Sequence, residues 1–298
     1  MESERSVVDQ ARDALHSGDG EHTSRKILLW RILAPISWLL VFVTSIYYNF
    51  RSPHFNNGHH HYHRLAGTIW GINHLKHTPF SLNPVIGSIY WIVLFIFQAG
   101  YIYQLFVKER LASAINLAPT FTLNNLLGFG IIHLWCRSYF GWALFLVIVN
   151  WFNLTFSYFA YPKSPKIQHI AVLAGPLAWS FVSLYWVGAA ATNAHHVAAR
   201  VVANVFIWSW LVYGGFYLVA FKDWSVGFAL STLTAALGVS QFLTVIVALQ
   251  WIFAFTIMAV LFVLSVIVAF PDATGVELGR GHVVSADRER EPLLQGEA

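Results

Sequence analysis

The chain has 298 residues, 57% of them hydrophobic and only 11% charged, and carries a formal net charge of +4. With a mean hydropathy of +0.56 and a pI of about 9.2, this balance excludes an ordinary soluble core and indicates an integral membrane protein. Of the 14 acidic residues, only Glu109 and Asp223 lie between Ile27 and Phe270, the depletion expected where a charge at the bilayer centre costs at least ~2.5–3.5 kcal/mol. The excess of bases comes from loops in that same stretch. Bases there set orientation or meet anionic head groups, so the high pI is no argument for nucleic acid.

In chain order, residues 1–26 are polar and mixed in charge, without the short apolar run and small-residue cleavage site of a removable signal. They are expected to form a disordered tail leading into an uncleaved signal-anchor helix. Apolar runs long enough to span a bilayer then follow at roughly 27–48, 85–107, 139–160, 169–190, 201–221 and 246–270. Two more, at 120–136 and 225–242, barely reach the minimum, and Asn124 and Asn125 dilute the first. The expectation is an all-α polytopic transmembrane helical bundle of eight spans, six if neither short run crosses.

The transmembrane domain covers 27–270, a His-rich non-cytoplasmic loop covers 51–83, and 271–298 form a second disordered tail. Lys and Arg favour one set of connections. Arg25, Lys26, Lys108, Arg110, Lys163, Lys166 and Lys222 fall on the side of the tails, against Arg51, Arg64, Lys76, Arg137 and Arg200 opposite. That bias places both ends in the cytoplasm. Cys136 is the only cysteine, so an intrachain disulfide is excluded.

Trp30, Trp70, Tyr101, Tyr103, Trp135, Trp142, Tyr185, Trp186 and Trp224 fall near the expected interfaces, where an aromatic belt would place them. The spans also suggest a four-plus-four repeat. Pro35-Ile-Ser-Trp38 in the first matches Pro176-Leu-Ala-Trp179 in the fifth, and Asn150-Trp-Phe152 in the fourth matches Gln250-Trp-Ile252 in the eighth. Such a duplication would make Glu109 and Asp223 equivalent in position.

The run Thr78-Pro-Phe-Ser-Leu-Asn83, then Ile89-Tyr-Trp91 and Gln98-Ala-Gly-Tyr101, resembles a fungal family of multispanning membrane proteins known only as a domain of unknown function. Gly175-Pro-Leu-Ala-Trp179, Lys222-Asp223, Ala235-Ala-Leu-Gly238 and Gln250-Trp-Ile-Phe-Ala-Phe255 extend the likeness over most of the chain. The resemblance implies a fungal multi-helix membrane protein and supplies no catalytic or binding residues. The histidine-rich insertion at His59–His63 is not matched to the family pattern.

Three groups of residues could carry chemistry. His59, His61 and His63, with His195 and His196, fall on the non-cytoplasmic side. The four-residue step from His59 to His63 would let two imidazoles share a metal if helical, or report luminal pH; a solvated low-complexity tract is the plainer reading. Gln98, His133, Asn150, Asn153 and Gln250 lie within spans, where amides must be hydrogen-bonded. They either join helices or line a solute cavity. Glu109 and Asp223 adjoin Lys108, Arg110 and Lys222, and a weak surface ion pair is the expectation for both.

In the tail, Glu289, Leu293 and Leu294 have the acidic-dileucine form, which points to a cytoplasmic sorting adaptor and to a vacuolar or other endomembrane location.

Paired intramembrane aspartates, a Gly-x-Ser-x-Gly elbow and a phosphate-binding glycine loop are missing from the sequence. The histidine spacings do not make the several boxes of a di-iron membrane oxidase. No enzymatic activity and no cofactor are expected; the bilayer is the expected partner. The leading functional reading is binding or transport of a small neutral or amphipathic solute. The alternatives are a structural or accessory membrane protein and a luminal metal or pH sensor.

Overall fold

The computed structural model describes residues 24–52, 67–162, 164–194, 196–244 and 250–271. Within them eight helices are long and apolar enough to cross a membrane. They are α1 (Ser24–Phe50), α3 (Pro84–Gln104), α4 (Leu111–Cys136), α5 (Phe140–Ala160), α6 (Lys166–Ala191), α7 (Val197–Ala220), α8 (Trp224–Leu243) and α9 (Gln250–Ala269). A short helix, α2 (Ile69–Leu75), precedes α3. The protein is an all-α, multi-pass membrane protein, and both short apolar runs lie in full-length helices. The run at 120–136 is the greater part of α4, which begins earlier, at Leu111.

The outer faces are apolar: Val85, Ile96, Phe156 and Val212 are exposed, as side chains facing lipid should be. α6 sits at the centre. In its most apolar stretch 78% of residues are buried, against 22% in α1 and α9. α1 packs on α4 and α4 on α5, while α6 packs on α8 and α8 on α9. The two halves thus share a pairing pattern. They differ in their second long helices: α3 lies against α6 and α8, whereas α7 lies against α8 and α9.

The central helix is irregular for a local reason. Pro176 has no N–H to give to a preceding carbonyl, and residues His169–Ala174 form a π turn just before it. The Gly175 N–H bonds the Ile170 carbonyl rather than that of Ala171, the α-helical partner. The Gln98 amide of α3 approaches the Ala171 oxygen at 3.5 Å. Gly175 is needed there: a Cβ would stand 2.7 Å from Leu94 and 2.9 Å from the Ile170 oxygen. The Tyr90 hydroxyl donates to the Gly175 carbonyl at 2.7 Å, further fixing α3 on α6.

The region expected as a loop over 51–83 departs from that expectation. Residues 53–66 lie outside the described residues, but 68–83 fold into the bundle end. Thr68 caps α2 by accepting from the Gly71 N–H, and the segment 78–82 is buried behind it. The Asn73 side chain donates to the Leu82 carbonyl at 2.9 Å and accepts from the Trp186 indole at 2.8 Å. Gln241 of α8 donates to the Thr78 carbonyl, and the Asn83 N–H reaches the Ala236 carbonyl. Asn83 then caps α3 ahead of Pro84, whose missing N–H costs nothing in the first turn. This segment is a plug, and its end of the molecule is called the plug end below.

The aromatic-belt expectation is also corrected for part of its set. Trp135 and Trp186 are buried with ring centroids 4.3 Å apart, and Trp70 lies 6.0 Å from Trp186. Tyr101 is fully buried and donates to the Ala114 carbonyl. The three tryptophans fill the core beneath the plug, Tyr101 fixes the far end of α3 on α4, and Tyr103 and Trp142 are exposed on the surface.

Candidate functional site

At the other end of the bundle, the end of α5, the start of α6 and the turn joining α7 to α8 converge on Asp223. This residue opens α8, and the helix start fixes half of its bonding. Oδ1 accepts from the Ser225 N–H at 3.0 Å and the Val226 N–H at 3.4 Å, and from the Ser225 hydroxyl. An aspartate at an N-cap satisfies helix donors in this way. Oδ2 faces inward and accepts from His169 Nε2 at 2.7 Å and the Tyr158 hydroxyl at 2.8 Å. The side chains are largely buried, 16% exposed for His169 and 9% for Asp223.

Burial works against the charge of Asp223. The hydrogen bond and charge of His169, with the bonds from Ser225 and Tyr158, outweigh it and hold the carboxyl below its usual range. The expectation of a weak surface pair with Lys222 is therefore corrected: the partner is His169 of α6, 54 residues away in sequence. Lys222 instead makes the turn. Its φ of 52° is left-handed, and it brings the Asp223 N–H back to the Tyr217 carbonyl at 3.1 Å. Glu109, the supposed equivalent, lies in the exposed turn Lys108–Arg110.

The other nitrogen of His169 lies 3.3 Å from the Ser164 hydroxyl, which donates to the Tyr161 carbonyl at 3.2 Å. The order serine, histidine, aspartate is that of a nucleophile relay. Here the serine proton is engaged by a backbone carbonyl, so the chain of bonds ties Ser164 to the end of α5 and the start of α6. Tyr158 continues the contacts inward. Its ring packs edge-on to Tyr217 at 4.8 Å, the Tyr217 hydroxyl approaches that of Tyr213 at 3.5 Å, and the Trp151 indole donates to Tyr213 at 3.3 Å.

Beside this cluster opens a pocket of about 380 Å³. Its polar wall is Tyr158, Ser164, His169, Asp223 and Ser225; Phe221, Ile170 and Trp224 supply apolar surface, and the exposed Lys166 and Lys222 border it. It lies at the helix ends, the depth at which tyrosine and tryptophan sit in membrane proteins.

The sequence candidates are dispersed. Gln98 is fully buried, and its Oε1 has no partner among the described residues. Asn150 donates to Asn124 at 2.9 Å and Asn153 approaches the Thr120 carbonyl at 3.5 Å, both joining α5 to α4. His133 bonds the Phe129 carbonyl in its own helix through Nδ1 and packs edge-on to Tyr48. Gln250, at the start of α9, is 1% exposed, and neither amide atom has a partner among the described residues. None of the five lines the pocket.

His59, His61, His63 and His195 lie outside the described residues, as do Glu289, Leu293 and Leu294. His196 is exposed. Among the described residues no group of three or more His, Cys, Asp or Glu could hold a metal ion.

His169 and Tyr158 escaped the sequence reading, which examined histidines on the opposite side. Asp223 carried a usable signal: an aspartate immediately before an apolar helix is an N-cap pattern. Its His169 partner carried none, because only the fold brings α6 beside the α7–α8 turn.

The model of a family described as "Fungal protein of unknown function (DUF1774)" matches residues 200–294, which include α8, α9 and Asp223. No curated protein and no solved structure matches the chain.

Proposed function

We propose that this fungal multi-pass membrane protein is a non-catalytic binder of a small amphipathic solute, taken into the pocket between α5, α6 and the α7–α8 turn. The observation that supports the reading is the pocket itself. Its volume of about 380 Å³ falls in the ~300–1,000 Å³ range of small-molecule sites. One wall is apolar and aromatic, and the other is a bonded polar cluster, a division that suits a molecule with a polar head and an apolar body.

The distribution of Lys and Arg supports an orientation with this pocket facing the cytoplasm and both chain ends on that side. The acidic-dileucine pattern at Glu289, Leu293 and Leu294 supports an adaptor-sorted, vacuolar or endosomal residence. The reading is tested by blocking the pocket. Ser164→Trp, purified in detergent, should bind a panel of neutral fluorescent amphiphiles at least about tenfold more weakly than wild type, a loss of ~1.4 kcal/mol. Equal binding by the two proteins would refute the pocket as the site. Flux of the bound amphiphile into reconstituted vesicles would extend binding to transport.

A further inference from the structure

Charge around the pocket is unevenly spent. A carboxylate offers about four lone-pair sites, and Asp223 accepts from five donors: His169, Tyr158, the Ser225 N–H, the Ser225 hydroxyl and the Val226 N–H. Its acceptor capacity is exhausted. Lys166 and Lys222 also line the pocket, and among the described residues neither ammonium has a hydrogen-bond or ion-pair partner. Each carries three donors. An incoming cation or donor finds no free carboxylate oxygen, while an incoming anion meets two exposed lysines whose ammonium groups no protein group pairs among the described residues.

Lys222 adds a second observation. Its φ of 52° places a long side chain in a conformation that favours glycine or asparagine. Strain of that kind is often kept where it aims a functional group. The turn Lys108–Arg110 near the same bundle end, tied to α6 through Gln168, carries two bases and one acid and leaves that end positive.

Resting on the binding reading above, we infer that the pocket's ligand carries a phosphate-monoester head group, gripped by Lys166 and Lys222 while its apolar part lies on the aromatic wall. Two ammonium groups match the charge of about −1.5 to −2 that a phosphomonoester carries near neutrality. They act on it as point charges able to follow a mobile head group. Such a head group belongs equally to a phosphatidate in the bilayer and to a soluble phosphate.

Native mass spectrometry of the full chain in neutral detergent tests this, with phosphatidate, phosphatidylcholine and inorganic phosphate as probes. Wild type should prefer phosphatidate over phosphatidylcholine by about tenfold or more, and the double variant Lys166→Gln/Lys222→Gln should lose that preference. A Lys108→Gln/Arg110→Gln variant removes the same charge from a neighbouring turn and should retain it.

Equal loss in both variants would mean diffuse surface attraction and overturn the inference, as would an unchanged preference in the first. Displacement of phosphatidate by millimolar inorganic phosphate would support the site with a soluble source; retained phosphatidate would support a lipid source. The exposed lysines can change without unfolding the bundle, and an unchanged melting temperature in detergent checks that point. Failure of the lipid preference, with Ser164→Trp still blocking neutral amphiphiles, would reject the head group and leave the pocket standing.

Discussion

The two ends of the bundle are both built from polar bonds and aromatic rings, yet they do opposite things. At the plug end the central group is neutral. The Asn73 amide donates to the Leu82 carbonyl and accepts from the Leu82 N–H and the Trp186 indole, beside a cluster of tilted tryptophan rings. At the pocket end the central group is Asp223, a carboxylate with five donors, and beside it the surface opens into a cavity. An amide can be sealed away once its few bonds are made. A carboxylate demands more donors, and gathering them from three elements leaves a concave, charged mouth. The neutral end is suited to closing the molecule, the charged end to meeting a ligand.

The sharpest way to break this comparison is at Asp223. Asp223→Ala leaves His169, Tyr158 and two backbone N–H groups without their acceptor and uncaps α8. The loss should be about 3–5 kcal/mol of stability, seen as a large drop in melting temperature in detergent. The pH dependence has a definite sign. Because the folded Asp223 is held below its usual range, its contribution is complete above the unfolded value of ~3.9 and is lost only as pH falls through the lower folded value. The stability gap between wild type and Asp223→Ala should therefore persist down to about pH 4. A gap that narrows between pH 6 and 5 would contradict the assignment.

Next in size is Asn73→Ala, which strands the Trp186 indole and both Leu82 backbone groups. It should cost about 2–3 kcal/mol, with the plug more open to amide hydrogen exchange at 78–83. Ligand affinity at the pocket should stay within about twofold, less than ~0.5 kcal/mol. An equal loss of affinity in this variant would show that the two ends are one coupled unit. Tyr158→Phe is milder: it removes one bond to a charged acceptor, about 1.5–2 kcal/mol, and leaves the ring packed on Tyr217.

How much of this could be read from the sequence depends on how local the physics is. Long apolar runs gave the helices, because length and hydropathy suffice to identify a span. The plug did not show itself, because Thr78-Pro-Phe-Ser-Leu-Asn83 has the composition of a loop. Its burial comes from bonds to α6 and α8, more than 100 residues further along the chain. Asn150 and Asn153 were legible as polar groups inside a helix, and they join α5 to α4 as amides in lipid should. For Asp223, chain proximity pointed to Lys222 as its partner. The left-handed turn leaves that lysine exposed at the pocket rim, while the carboxylate is buried against His169 and Tyr158, so the neighbour in sequence is not the bonding partner.

Lys222 itself gives the smallest expected effect and the finest discrimination between the two ends. Three residues other than glycine have positive φ among those described: Ser138, Asn193 and Lys222. Ser138 and Asn193 close helices at the plug end, where the following N–H bonds five residues back, at Tyr139 to Leu134 and Ala194 to Ala189. Asparagine tolerates this conformation and lysine does so poorly. If Lys222 is kept for its ammonium group, Lys222→Gly should relieve the backbone and raise stability by about 0.5–1 kcal/mol. It should at the same time weaken binding of phosphatidate. Asn193→Gly, at the plug end, should change stability by only a few tenths of a kcal/mol and leave binding alone. Melting curves and lipid titrations on the same two preparations measure both quantities. A Lys222→Gly protein that melts lower than wild type would mean that the turn needs the lysine for its packing and that no strain is held there.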